Sequence, residues 1–185
     1  MANNVYNDIS LVSSNKSARK KFIEAFQSVT DLNECGLEFS SILPEWDGEW
    51  ASREYMEEYV GPKWANLDDY QGDDYAYVVS AWGPPVAFMR QLAKELSMLD
   101  ADVKLRMNYT DEFYNFIGTW VFANGEEDYE EADGDWFFRK RAEEVGTPLK
   151  EYDSFEDDGW YDFIDETIFS WADEMLRDKD EIKLL

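Results

Sequence analysis

Carboxylates are the only chemistry this chain holds in quantity. Its 185 residues include 42 Asp and Glu, 17 Lys and Arg, one cysteine and no histidine. Without imidazole there is no Ser-His-Asp or Cys-His nucleophile, no histidine metal site and no histidine pH switch. Cys35 has no cation near it in sequence, which fits a buried inert thiol better than a nucleophile. Two carboxylates across a cleft are enough for glycoside hydrolysis. Among 42 acids such pairs arise by chance, so the pattern does not single one out. An EF-hand needs Asp at position 1, Gly at 6 and Glu at 12. Centring the loop on Gly134 puts Tyr129 and Lys140 at those ends, and centring it on Gly159 puts Ser154 and Asp165 there. Neither fits, and no metal or other cofactor is expected. Phosphate-cradling glycine loops are absent, and Gly83-Pro84-Pro85 lacks the amides such a loop supplies.

The acids are unevenly placed. Residues 1–25 carry net charge +2, residues 26–125 carry −12 and residues 126–185 carry −15, giving −25 in all. Seven of the ten residues in 126–135 are acidic: Glu126, Glu127, Asp128, Glu130, Glu131, Asp133 and Asp135. A second group, Asp157, Asp158, Asp162, Asp165, Glu166, Asp173 and Glu174, is interleaved with Trp160, Phe163, Ile164, Ile168, Trp171 and Met175. That interleaving predicts a docked amphipathic helix with an acidic outer face. The one basic cluster is Lys16, Arg19, Lys20 and Lys21, best read as offsetting acids of the same fold. An acidic balance excludes broad contact with nucleic-acid phosphates or with an anionic membrane. It favours a basic protein partner, drawn in by long-range attraction. Trp46, Trp50 and Trp64 are secondary aromatic anchor candidates, since Trp is enriched where interfaces concentrate their energy, beside the plainer reading of a satellite core under a long insertion.

Composition points to a folded domain: 44% of residues are hydrophobic and 17% aromatic, too much apolar material for disorder. Alternation predicts strands over residues 5–12, 75–82, 103–109 and 113–123. Residues 37–43 read as a short extended segment. Helices are expected after Ser13-Ser14-Asn15, from Ser52 to Val60, after Pro85, and over about 136–145 and 159–177. Asn124-Gly125 is a strong hairpin signal. Residues 45–74 read as an aromatic-rich insertion. The pattern suggests an α+β, ferredoxin-like antiparallel sheet with helices packed on one face, plus acidic C-terminal helices. The expected division is a domain over 1–145 and an acidic helical extension over 146–185. A lone cysteine, and the lack of a leader or an 18-residue apolar run, suggest the cytosol.

Three segments carry a resemblance: Asn4-Val5-Tyr6-Asn7-Asp8-Ile9-Ser10-Leu11-Val12-Ser13, Gly61-Pro62-Lys63-Trp64-Ala65-Asn66 and Ser80-Ala81-Trp82-Gly83-Pro84-Pro85. Read together they resemble the YubB-type ferredoxin-like family of phages and plasmids, over roughly residues 3–145. Val5-Tyr6 stands where that family has Trp-Cys, and Pro62 where it has Thr. The resemblance implies a ferredoxin-like fold and a mobile-element origin. The family has no assigned biochemical activity, so no catalytic residues carry over.

Three functions follow as expectations. The leading one is not enzymatic: an acidic phage- or plasmid-type protein that inhibits a host nucleic-acid-binding protein, of defence or transcription, by nucleic-acid mimicry. The second is an assembly module docking through Trp46, Trp50 and Trp64. The third is a carboxylate-based metal-dependent hydrolase.

Overall fold

The computed structural model describes residues 3–26, 42–44, 52–70, 72–113 and 115–134. Nine elements follow in order: β1 (Asn4–Val12), α1 (Lys16–Phe26), α2 (Arg53–Tyr59), β2 (Ala65–Tyr70), β3 (Tyr75–Ala81), α3 (Val86–Ser97), β4 (Lys104–Asp111), β5 (Phe116–Ala123) and β6 (Glu126–Asp133). The six strands form one antiparallel sheet in the order β2-β3-β1-β4-β5-β6. The fold is α+β, a six-stranded antiparallel sheet with three helices among the described residues.

Strict alternation builds the centre of this sheet. Val5, Ile9 and Leu11 of β1 and Leu105 and Met107 of β4 are buried, and β3 adds Ala76 and Val78. Phe22, Ala25 and Phe26 of α1 and Phe88, Met89, Leu92 and Leu96 of α3 belong to the same apolar cluster. The other side chains of β5, Ile117, Thr119, Val121 and Ala123, point to the opposite face by the period of two, and they too are buried. β5 is therefore withdrawn from solvent on both faces.

Local signals account for the ends. Asn15 Oδ1 accepts from the amides of Ser17 at 2.8 Å and Ala18 at 3.3 Å, capping α1. Ser52 Oγ accepts from Tyr55 N and starts α2. Gly61, at φ +111°, turns the chain against Pro84 and the start of α3. Asn124 and Gly125 both take positive φ, +62° and +78°, as a type I′ hairpin requires.

The structure corrects three expectations. Residues 65–70, expected within an insertion, form β2; Asn66, Asp68 and Asp69 are poor strand formers and hid it. Phe113, expected in a strand, sits in the β4–β5 turn and is exposed. There Asp111 accepts from Asn115 N, Asn115 Nδ2, Phe116 N and Asn3 Nδ2, which ends one strand and opens the next. Ile42 and Leu43 are buried in a turn rather than extended. The helices expected over 136–145 and 159–177, Cys35, the rest of the 37–43 segment and the 146–185 extension lie outside the described residues. Among the described residues no helix is long and apolar enough to cross a membrane.

Candidate functional site

The acidic stretch is not a loose arm. Residues 126–133 are the second strand of the Asn124-Gly125 hairpin, in unbroken register with β5 from Ala123↔Glu126 to Phe116↔Asp133. β6 is the outermost described strand on its side of the sheet. Six of its eight residues are acidic, and all but Ala132 are exposed. At ~3.4 Å per residue the strand spans ~24 Å, or one carboxylate per ~4 Å. One strand of duplex DNA carries a charge per ~3.4 Å.

The period of two splits these acids between the sheet faces. Glu127, Tyr129, Glu131 and Asp133 share the face of Trp120 and α3, and the fold grips Glu127 and Glu131. Arg90 Nε of α3 donates to both oxygens of Glu127 at 2.9 Å, and Trp120 Nε1 donates to Glu127 Oε2 at 3.1 Å. The Glu127 carboxylate holds the Arg90 guanidinium above its ordinary pKa. Tyr109 Oη of β4 donates to Glu131 Oε2 at 3.1 Å. The Tyr109 ring reaches across β5 only because residue 118 is glycine: a Cβ there would lie 2.2 Å from Tyr109 Cζ. Burial, then the Glu131 charge, raises the Tyr109 phenol well above its usual value. Glu126, Asp128 and Glu130 stand on the opposite face, ~6.8 Å from one to the next. β6 is thus a braced strand whose backbone is positioned from α3, β4 and β5.

That opposite face has a polar centre. Tyr75 Oη donates to Asp8 Oδ1 at 2.5 Å, and Arg106 Nε donates to Ser10 Oγ at 3.1 Å. Burial raises the Asp8 carboxyl, partly offset by Tyr75 and by Arg106. Tyr6 and Tyr77 stack at 6.3 Å. Asn108, 3% exposed, accepts from Thr119 Oγ1 at 2.9 Å while its Nδ2 has no partner. Asn7, buried on the helix face, donates to Val78 O and Ser80 Oγ.

The basic cluster serves the fold. Arg19 bridges Asp73 at 2.6 Å and Asp74 at 3.3 Å, Lys20 bridges Glu24, and Lys21 lies 3.9 Å from Glu95. Trp64 is half-buried, and its carbonyl accepts from Ala81 N. A different tryptophan is exposed. Trp82 is 57% exposed at φ +66°, an uncommon conformation for a bulky residue, with Lys63 Nζ 5.2 Å above its ring. Its amide donates to Asn3 O, so the three segments of the resemblance meet at one end of the sheet.

Of the candidate residues, Glu126, Glu127, Asp128, Glu130, Glu131 and Asp133 come together on one strand. Asp135, Asp157, Asp158, Asp162, Asp165, Glu166, Asp173, Glu174, Trp46 and Trp50 lie outside the described residues. The sequence left no sign of Arg90 or Tyr109 as braces, because each meets its carboxylate from another element. Trp82 carried a weak signal, a Trp directly before Gly-Pro-Pro. Among the described residues no group of three or more Cys, Asp and Glu side chains gathers as a metal site would. Comparison with protein-family models, with curated proteins and with solved structures returned no match.

Proposed function

We propose that this chain works by binding, and that β6 presents a rigid line of carboxylates to a cation-rich surface of a partner protein. The partner class is a nucleic-acid-binding protein whose phosphate-binding groove the strand occupies and blocks. The observation that carries this reading is the braced strand itself. A flexible acidic tail loses conformational entropy when it docks. A paired strand holds its charge spacing before the encounter and loses little. Counting both faces the strand carries one carboxylate per ~4 Å, and on the Glu126, Asp128 and Glu130 face one per ~6.8 Å, against ~3.4 Å in a single DNA strand. The strand order β2-β3-β1-β4, with α1 after β1 and α3 after β3, supports a ferredoxin-like assignment with β5 and β6 appended. The proposed phage or plasmid origin and action in the host cytosol rest on the sequence resemblance and not on this topology.

The test is displacement. A fluorescent DNA duplex bound to a histone-type basic protein is titrated with the chain, with E126Q/D128N/E130Q, and with E54Q/E57Q/E58Q. The two triple variants lose equal charge, and Glu54, Glu57 and Glu58 are exposed on α2. The wild-type chain and the α2 variant should release the duplex, and the β6 variant should release much less. Rising salt should weaken the effect steeply. Equal loss in both variants would reduce the acids to a general solubilising coat.

A second reading has one observation behind it. Exposed Trp82, held at a left-handed backbone position, suits an aromatic anchor for an assembly partner. W82A would then abolish association that salt does not affect.

A further inference from the structure

β5 is covered on the face that the described helices leave. Ile117, Thr119, Val121 and Ala123 are each 0% exposed within the single chain. Elsewhere on that face the side chains meet water: Tyr6 and Ser10 of β1 and Tyr75 and Tyr77 of β3 are half-buried, and Glu126, Asp128 and Glu130 of β6 are exposed. The cover is therefore local to β5 and to its β4 neighbour Asn108. Asn108 Nδ2 is closed off from solvent without a polar partner, as it would be under an apolar side chain. All three described helices feed the apolar cluster on the other face, and Ile117, Val121 and Ala123 are not part of it.

We propose that the cover is this chain's own apolar stripe, Trp160, Phe163, Ile164, Ile168, Trp171 and Met175, which lies outside the described residues, laid along β5. The burial belongs to one chain, so neither a second copy nor a partner supplies it. Residues 27–41 and 45–51 leave from and return to the helix face, since Phe26, Ile42, Leu43 and Met56 all sit in its apolar cluster. The chain after Gly134 starts elsewhere. Gly134 N donates to Asn115 O at 3.3 Å, at the end of the sheet where β5 begins and beside Ile117. Length then selects within that tail. As a helix, residues 159–177 would span ~27 Å at ~1.5 Å per residue, which matches the ~24 Å of β5, whereas residues 136–145 would span only ~14 Å. Spacing agrees, because the six side chains fall on one side of a helix. Charge agrees too: Lys104 and Arg106 stand on the same sheet face, opposite Ala123 and Val121, and attract the acids that flank the stripe. So docked, the stripe carries Asp162, Asp165 and Glu166 to the side of the molecule that presents Glu126, Asp128 and Glu130. The two acidic groups of the sequence then form one surface. This inference does not depend on the binding reading above.

The test is nuclear Overhauser contact in the full chain, with the Ile, Leu and Val methyl groups labelled. Methyl protons of Ile117 and Val121 should show cross-peaks to the stripe, Ile164, Ile168 and Trp171 foremost, because apolar side chains in contact lie within ~4.5 Å. Cross-peaks to residues 27–41, 45–51 or 135–158 in their place, or none beyond the sheet, overturn the inference. Ile168→Asp checks the contact from the other side. It should shift the methyl resonances of Ile117 and Val121 and leave those of Ile9 and Leu92, in the cluster on the helix face, where they are. Shifts of equal size in both sets of a folded variant overturn the inference as well. If that variant does not fold, the cross-peaks of the wild-type chain decide alone.

Discussion

Gly118→Ala is the sharpest test of how the acidic strand is held. A Cβ on residue 118 would sit 2.2 Å from Tyr109 Cζ, 2.3 Å from its Oη and 2.5 Å from its Cε2. Carbon atoms in contact prefer ~3.5–4.0 Å, so ring and strand must separate by more than ~1 Å. The ring has little room: Tyr109 is 3% exposed, and Phe116 packs edge-on at 6.3 Å. Overpacking of this kind costs roughly 1–3 kcal/mol. Moving the ring also breaks its bond to Glu131, worth about 1 kcal/mol because that carboxylate is exposed. The total is about 2–4 kcal/mol, which for a chain of this length lowers Tm by roughly 4–16 °C. The assay is urea and thermal unfolding of wild type, Gly118→Ala, Tyr109→Leu and the double variant. Tyr109→Leu removes the clashing ring, so adding Gly118→Ala to it should cost almost nothing, a strongly non-additive cycle. A Gly118→Ala cost below about 0.5 kcal/mol, or a cost unchanged by Tyr109→Leu, would refute the crossing of β5 by this ring.

Four further outcomes follow. Asp111→Ala should destabilise by about 2–4 kcal/mol, because it strips four donors of their shared buried acceptor, and chemical denaturation reads it directly. The Tyr109 phenol is raised on folding, so its contribution is complete below about pH 10 and fades at higher pH; Tyr109→Phe should flatten the alkaline loss of stability, and an unchanged slope would contradict the burial argument. Asp8 is also raised above its ordinary 3.8, so its contribution is present below that value and falls as pH rises through the folded value. Asp8→Asn should remove that decline above about pH 4, and urea midpoints that fall equally in both proteins would argue against it. Trp82→Gly relieves a left-handed backbone at an exposed site, so stability should hold or rise by up to about 1 kcal/mol, and a clear loss would show the ring to be structural.

The sequence determined by itself those elements that announce themselves locally. Val5, Ile9 and Leu11, and Leu105 and Met107, mark their strands by alternation, because one face must leave water while the other stays in it. Asn15, Ser52 and Asn124-Gly125 mark ends and turns through their own backbone preferences. The acid content of 126–133 was equally plain. The Asn124-Gly125 signal places these acids on a hairpin arm, and only tertiary structure decided that the arm pairs with β5 in unbroken register despite the low strand propensity of Glu and Asp. It also decided that β6 lies outermost among the described strands, that Arg90 and Tyr109 brace it, and that Ala65–Tyr70 joins the sheet beside β3. The physical reason is distance along the chain. Arg90 and Glu127 are 37 residues apart, and Asn3 and Asp111 are 108 apart. No periodicity in a short window encodes such a meeting; it arises when the apolar faces close on one core.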